Sequence, residues 1–251
     1  MCLIVWDWDP EAEKLLVLSN RDEAYLRPTL PLHAWSGKNI YAGKDEEALG
    51  TWLGCSRTGR LAAVTNFRSG QGPNPQAKSR GELVTQFLAA EMNSEDFLQC
   101  IAKQADAYNA FNLLVFDGET LAGFESHSSR TLTMLPGISG VSNAGFNSPW
   151  PKLTTTKHRL KELRKAINVS NEDYFALLAD SQLANLDACP ATGIPQEIEH
   201  QLSAVFIKMP GYGTRASSVV QISPASVLFQ ERTFNEQGKQ GLVTVNFPIS
   251  T

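Results

Sequence analysis

Apolar and polar positions alternate at the start of the chain. Residues 2–8 (CLIVWDW) and 13–19 (EKLLVLS) are short β-rich runs joined by the turn-rich Asp9-Pro10-Glu11-Ala12, and the pattern predicts an antiparallel hairpin. Pairing Trp8 with Glu13 sets Cys2 opposite Ser19 and brings Asn20-Arg21-Asp22-Glu23 out of the sheet beside Cys2. A second hairpin is expected to pair 51–57 with 60–66 around Thr58-Gly59, which sets Asn66 level with Thr51. After a Gly/Pro/Asn-rich loop at 69–75 the period lengthens. Residues 82–90 and 94–107 carry apolar side chains at helical spacing (Leu83, Phe87, Leu88; Phe97, Ile101, Ala105), with Asn93 or Ser94 as N-cap. Strands resume at 111–117, 120–125, 131–135 and 138–142. Pro151 suits the first turn of a helix running to about residue 167, and Ser170-Asn171-Glu172-Asp173 forms a capping box before 174–180. A short helix follows Pro195, and strands at 203–209, 215–222, 227–234 and 242–247 complete the chain. Blocks of strands and helices in this order predict a layered α+β fold with mainly antiparallel sheets, and no linker divides residues 1–251 into two domains.

Composition narrows the functional classes. The chain has 251 residues, 42% hydrophobic and 19% charged, with 22 Lys and Arg against 26 Asp and Glu for a net charge of −4. A mildly acidic chain gives no electrostatic case for binding nucleic acid. No apolar run approaches the roughly 18–20 residues of a membrane span. The first residues lack a basic leader, and four scattered cysteines without a CxxC pair suit a reducing compartment, so a cytoplasmic location is expected. His33, His127, His158 and His200 form no zinc-binding spacing, and no metal or cofactor is expected.

Cys2 is the sharpest single feature. Removal of the initiator methionine before this small residue would give one residue both a thiol and an α-amine, the latter with a reference pKa of about 7.7–8.0. Such an amine can take the thiol proton at neutral pH. The plain alternative is a small hydrophobe opening a buried strand. The hairpin register places Arg21 and Asp22 nearby, where Asp22 could orient the amine and an arginine could favour the thiolate. A Cys2 thiol flanked by Arg21 or Arg215 is expected to titrate low, while Cys55, Cys100 and Cys189, beside apolar segments, are expected to react slowly. Asn66 and Asn143 end strands and offer neutral amide donors for an oxyanion. Arg215 enters a strand from the glycine-flexed Gly211-Tyr212-Gly213-Thr214, where a surface ion pair is its plain alternative.

These residues fall in blocks that resemble a known family. Ser19-Asn20-Arg21-Asp22-Glu23 after a Met-Cys start resembles the NRDE-motif family, related to the transport-and-Golgi-organisation proteins of eukaryotes. The likeness continues through Gly50-Thr51-Trp52-Leu53-Gly54, Val64-Thr65-Asn66-Phe67-Arg68, Ser142-Asn143-Ala144, Ser148-Pro149-Trp150-Pro151-Lys152 and Tyr212-Gly213-Thr214-Arg215-Ala216-Ser217-Ser218. That family in turn resembles the N-terminal-cysteine amidohydrolases, which include penicillin V acylase and bile salt hydrolase. The resemblance implies a four-layer αββα sandwich with the cysteine opening a central strand. It implies Cys2 as nucleophile, Asp22 as the aspartate at its amine, Asn66 and Asn143 as oxyanion donors and Arg215 as the late arginine. Asn20, Arg21, Trp52 and Arg68, from the same blocks, are expected on the substrate side. Arg21 departs from the hydrolase spacing because it adjoins Asp22, and neighbours on a strand face opposite ways. The implied activity is hydrolysis of a non-peptide amide or thioester of a small molecule. The rival from another class is a non-catalytic carrier of haem or acyl-coenzyme A in the same cleft.

Overall fold

A computed structural model describes residues 2–70 and 72–250. The first hairpin pairs β1 (Cys2–Asp9) with β2 (Lys14–Ala24), but two residues away from the expected register, with Asp9 opposite Lys14 and Cys2 opposite Arg21. The turn accounts for the shift. Glu13 takes a left-handed conformation (φ 50°), its N–H bonds to the Pro10 carbonyl, and Ala12 N–H caps on Asp9 Oδ1 at 3.1 Å, so Glu13 closes the turn instead of opening the strand. The second hairpin, β5 (Leu53–Ser56) with β6 (Leu61–Asn66), is displaced by one residue, with Leu53 opposite Ala63. Its loop holds three residues between Ser56 and Arg60, ending on Gly59 at φ 78°.

Between these hairpins run β3 (Thr29–Ala34) and β4 (Ile40–Asp45), two strands the alternation does not reveal. In β3 the register slips around Pro31, and Leu32 is its one fully buried residue, as befits an edge strand. Then come α1 (Gly81–Ala89) and α2 (Ser94–Ala102); the helix expected to reach residue 107 gives way to a short 3-10 turn at Ala105–Ala107. Strands β7 (Phe111–Phe116), β8 (Leu121–Glu125), β9 (Arg130–Thr133) and β10 (Gly137–Val141) follow. Next are α3 (Pro151–Leu163), α4 (Asn171–Leu178, with the expected Ser170–Asp173 capping box) and α5 (Gln196–Gln201). The run at 203–209 pairs only as β11 (Lys208–Met209), because Val205 and Ile207 are buried as packing residues outside a ladder. β12 (Tyr212–Ile222), β13 (Ser226–Asn235) and β14 (Gly238–Pro248) end the chain.

Every strand pairing is antiparallel among the described residues. One sheet has the order β10-β1-β2-β12-β13-β14, with β11 on β12, and the other runs β3-β4-β5-β6-β7-β8-β9. Strand periodicity sorts the core into three layers of contact. From β1, Ile4, Trp6 and Trp8 enter the space between the sheets with Leu53, Cys55, Leu61 and Leu114. Leu3 and Val5 point the other way, onto Leu153 and Leu160 of α3 and Phe175 and Leu178 of α4. The far face of the second sheet packs Val64, Leu113 and Phe124 against Leu83, Phe87, Leu98 and Ile101 of α1 and α2. The layers are helix, sheet, sheet, helix. Buried on both faces, β1 reads as an almost unbroken apolar run. No helix is long and apolar enough to cross a membrane among the described residues.

Candidate active site

The paired starts and ends of β1 and β2 open onto a cavity of about 550 Å³, whose wall includes Cys2, Arg21, Asp22, Glu23, Trp52 and Asn66. Cys2 and Arg21 stand opposite each other and so share a face of the sheet, the one turned towards the second sheet. Asn20 and Asp22 take the opposite face, towards the helices. Asn20 is fully buried there: its amide donates to the carbonyls of Leu178 and Val205, both at 2.8 Å, and its oxygen accepts from Ser217 Oγ at 2.6 Å. It ties layers together and does not line the cavity, contrary to its expected place on the substrate side.

Asp22 lies at the boundary between cavity and interior. Thr214 Oγ donates to its Oδ1 at 2.7 Å, Tyr212 Oη donates to its backbone carbonyl at 2.9 Å, and Lys152 Nζ from α3 lies 3.8 Å from its Oδ2. Lys152 is almost wholly buried and makes no hydrogen bond among the described residues. Burial pushes the Asp22 carboxyl up, while the Lys152 charge and the Thr214 bond pull it down. Lys152 is pushed down by the same burial and held up by Asp22. The Cys2 thiol corrects the expectation of a low pKa. Burial raises it and the Asp22 charge adds to the rise, against weaker opposing pulls that include Arg21 and the Asp22 backbone N–H. Cys55 is also buried and raised, whereas Cys100 is exposed and Cys189 partly exposed, so burial and not sequence neighbourhood separates the cysteines.

The remaining expected residues divide. Asn66, at the end of β6, lines the cavity with Cys2. Asn143 is fully buried and does not line it; its amide donates to the Asn66 carbonyl at 2.9 Å, and its carbonyl accepts from Arg68 N–H at 2.7 Å. Asn143 fixes the strand end that carries Asn66. Ser142 Oγ donates to the Cys2 carbonyl at 3.2 Å and so joins the two strand ends. Arg68 does not line this cavity either: its guanidinium pairs with buried Glu199 of α5 and stacks over Trp150 at 4.9 Å. Trp52 does line it, with the Arg21 guanidinium 4.3 Å above its ring. Arg21 also donates to Asp45 at 3.1 Å and Thr29 at 3.2 Å, and it is nearly buried.

Arg215 is placed elsewhere. A bulge between Thr214 and Ala216 leaves it out of the ladder with β2 and re-aims its side chain. Its guanidinium donates to the carbonyls of Ala24 (2.8 Å), Arg27 (3.0 Å) and Phe234 (3.2 Å), and it lines a neighbouring cavity of about 290 Å³ with Trp52 and Glu231. Arg215, expected to support the Cys2 amine or the substrate, does not line the Cys2 cavity but the neighbouring one, which shares Arg21 and Trp52 with it. The sequence reading missed Arg27, Asp45, Arg80 and Lys152. Lys152 ends the Ser148–Lys152 motif, which by itself gives it no role, and the others carry no local pattern. Among the described residues, no cluster of three or more His, Cys, Asp or Glu side chains could hold a metal ion.

A cavity-facing thiol at a strand start, a buried carboxylate one residue beyond its cross-strand partner and an amide at the facing strand end suit acyl transfer. The comparisons with known proteins fit that fold. A family model described as Transport and Golgi organisation 2 matches residues 1–236. The transport and Golgi organization protein 2 homolog of Bos taurus is 34% identical over 259 residues, covering 93% of each chain. The homolog of Homo sapiens is 32% identical and covers 94% of each. Among solved structures, a conjugated bile acid hydrolase from Clostridium perfringens superposes with a TM-score of 0.54 at 9% identity, over 98% of this chain and 92% of that one. At that identity the likeness is one of fold, and it bears out the four-layer arrangement. The chain belongs to the transport and Golgi organisation 2 family and carries it on a fold like that of the N-terminal-nucleophile hydrolases.

Proposed function

We propose that the protein is a cysteine N-terminal-nucleophile hydrolase acting on a non-peptide amide or thioester of a small molecule. The observation that supports this reading is the shared cavity of Cys2, Asp22 and Asn66 at the meeting of β1, β2 and β6. With Met1 removed, the Cys2 α-amine accepts the proton from Sγ, and the thiolate attacks the substrate carbonyl carbon. Asp22 holds the resulting ammonium, and the Asn66 amide donates to the oxyanion of the tetrahedral intermediate. Collapse expels the amine or thiol with a proton from the ammonium, leaving a thioester on Sγ that water then hydrolyses. Burial raises the thiol and so opposes its ionisation; in this scheme the ammonium formed beside Sγ is the charge that holds the thiolate.

Peptide-resolved alkylation by iodoacetamide tests the reading. Chains with Met1 removed and with Met1 retained are compared at pH 7.5. A free α-amine, with a reference pKa of about 7.7–8.0, can take the thiol proton at this pH, so the processed chain is expected to label at Cys2 at least about tenfold faster. Equal rates would remove the amine from the mechanism. Co-purified haem or acyl chains, with ligand affinity unchanged in Cys2→Ala, would instead favour the carrier.

A further inference from the structure

Charge pairing around the Cys2 cavity leaves one half-buried cation uncommitted. The basic groups on its wall are Arg21, Arg27, Lys78 and Arg80, and the acidic ones are Asp22, Glu23, Asp45 and Glu47. Arg21 and Arg27 share Asp45, at 3.1 and 2.7 Å, and Arg27 also meets Glu47 at 3.3 Å. Asp22 is matched from the helix layer by Lys152. Lys78 is exposed and lies 6.0 Å above the Tyr108 ring. Arg80 is half-buried, and among the described residues its guanidinium makes one hydrogen bond, from Nη1 to the Ala110 carbonyl at 3.2 Å. No carboxylate lies within ion-pair distance of it among the described residues. A guanidinium has five N–H donors, so most of this one's capacity is unspent.

The backbone holds Arg80 in place. It precedes α1, and the start of that helix is pressed onto the 50–52 segment: Thr51 N–H bonds to the Gly81 carbonyl, and a Cβ on Gly50 would lie 2.6 Å from the Gly81 carbonyl carbon. The arginine therefore sits on a rigid part of the wall. Burial lowers its pKa, and the acidic groups it senses are Cys2 and Glu23, with Arg27 the neighbouring cation.

We propose that Arg80 is a specificity-determining residue that binds a compact oxyanion, carboxylate or phosphate, on the substrate that Cys2 attacks. The inference rests on the hydrolase reading and names the substrate class as an anionic amide or thioester. Glu23, the one cavity acid without an ion-pair partner among the described residues, lines the same cavity and acts on Arg80, so its charge disfavours dianions more than monoanions.

Two alkylating reagents of nearly equal size separate charge from reactivity. Iodoacetate carries the anion and iodoacetamide does not, and both transfer a two-carbon unit to Sγ with loss of iodide. Labelling of Cys2 is followed peptide by peptide in the processed wild type, in Arg80→Gln, whose amide can still donate to the Ala110 carbonyl, and in Arg80→Lys, which keeps the charge. The iodoacetate to iodoacetamide rate ratio is expected to fall about fivefold in Arg80→Gln, and to stay within about twofold in Arg80→Lys, the range of a partly exposed ion pair. Inorganic phosphate should slow iodoacetate labelling of the wild type and not of Arg80→Gln. An unchanged ratio with both reagents reacting overturns the anion site and leaves the nucleophile standing. Where neither reagent labels Cys2 the nucleophile fails, and calorimetry with inorganic phosphate and with acetate decides the anion site alone. Saturable binding lost in Arg80→Gln upholds it, and no binding to the wild type overturns it. A response to one of the two anions and not the other identifies which oxyanion the site takes.

Discussion

Replacing Lys152 by methionine removes one charge from a pair that water does not reach. Its Nζ lies 3.8 Å from Asp22 Oδ2, and the two side chains are 1% and 0% exposed. At that separation and an effective dielectric near 20, the attraction is about 4 kcal/mol. Loss of the lysine charge raises the Asp22 carboxyl, since that charge is the largest influence holding it down. Burial already pushes Asp22 above the usual carboxylate range. In Lys152→Met the folded-state pKa therefore lies further above the unfolded value of about 3.9. The sign follows by linkage. A carboxyl with a raised folded pKa destabilises the fold progressively as pH climbs from the unfolded value to the folded one. The variant should thus lie nearest wild type at about pH 4.5, close to the unfolded value, where keeping a proton on the folded carboxyl costs little. It should lose about 3–5 kcal/mol by pH 8, where the orphaned carboxylate must ionise or hold its proton at a cost. Urea unfolding at half-unit pH intervals measures this, with Asp22→Asn and the double variant completing a cycle. Asparagine keeps an acceptor for Thr214 Oγ. The double variant should recover most of the loss at pH 8. A pH-independent loss, or no recovery in the double variant, refutes the pairing and leaves Lys152 a packing residue. If the pairing is right, Cys2 labelling in the processed chain should also slow in Lys152→Met at neutral pH, because a protonated Asp22 no longer holds the ammonium.

Three further outcomes are expected. Glu231 is fully buried, accepts the Leu32 N–H at 2.7 Å, and is pushed up to about 7 chiefly by that burial. Its contribution is present below about pH 4.5 and lost as pH rises to 7, about 3 kcal/mol in all, so thermal melts of Glu231→Gln should lack that slope and exceed wild type at pH 8. The same slope in both proteins would place the titration elsewhere. Gly50→Ala forces a Cβ against the Gly81 backbone and should cost about 1–3 kcal/mol in urea unfolding, with a lower iodoacetate preference at Cys2 as Arg80 shifts. Cys2→Ala should stay within about 1–2 kcal/mol of wild type in stability and lose all turnover, since one small side chain leaves a small void; retained turnover would exclude the thiol.

Legibility in the sequence followed local periodicity. The α3 and α4 starts were readable because Pro151 and the Ser170–Asp173 box act within one turn, and β12 to β14 because their alternation is long. The hairpin registers were not readable to the residue. Each depends on one backbone conformation, Glu13 in the first turn and Gly59 in the second, and a left-handed glutamate has no composition signal. Of the five residues read as catalytic, Cys2, Asp22, Asn66, Asn143 and Arg215, the first three line one cavity. Asn20, Arg68, Asn143 and Arg215 sit in the motif blocks and were assigned to substrate or catalysis, yet their polar atoms are spent on the scaffold. A motif marks residues that a fold needs at a place, and only burial and hydrogen-bond partners divide the scaffold from the chemistry.

The Asn20-Arg21-Asp22-Glu23 run shows how one strand serves both purposes. Alternation sends Asn20 and Asp22 to the helix side and Arg21 and Glu23 to the sheet side. On the helix side, Asn20 is locked to α4 and the 203–207 segment, and Asp22 is locked to α3 through Lys152. On the sheet side, Arg21 stacks on Trp52 and Glu23 borders the cavity. The strand end is therefore clamped from behind by charge and amide bonds that solvent cannot loosen, while its front face remains open. This division explains why an arginine next to the aspartate is tolerable despite the departure from the hydrolase spacing. Arg21 need not reach the amine that we propose Asp22 serves, because the two side chains leave opposite faces of β2, and it shapes the cavity with Asp45 and Trp52. A swap of the pair, placing arginine at 22 and aspartate at 21, would bury the guanidinium against Lys152 and leave Asp45 facing a second carboxylate. Like charges would then meet on both faces, and the clamp would fail before any chemistry could be read.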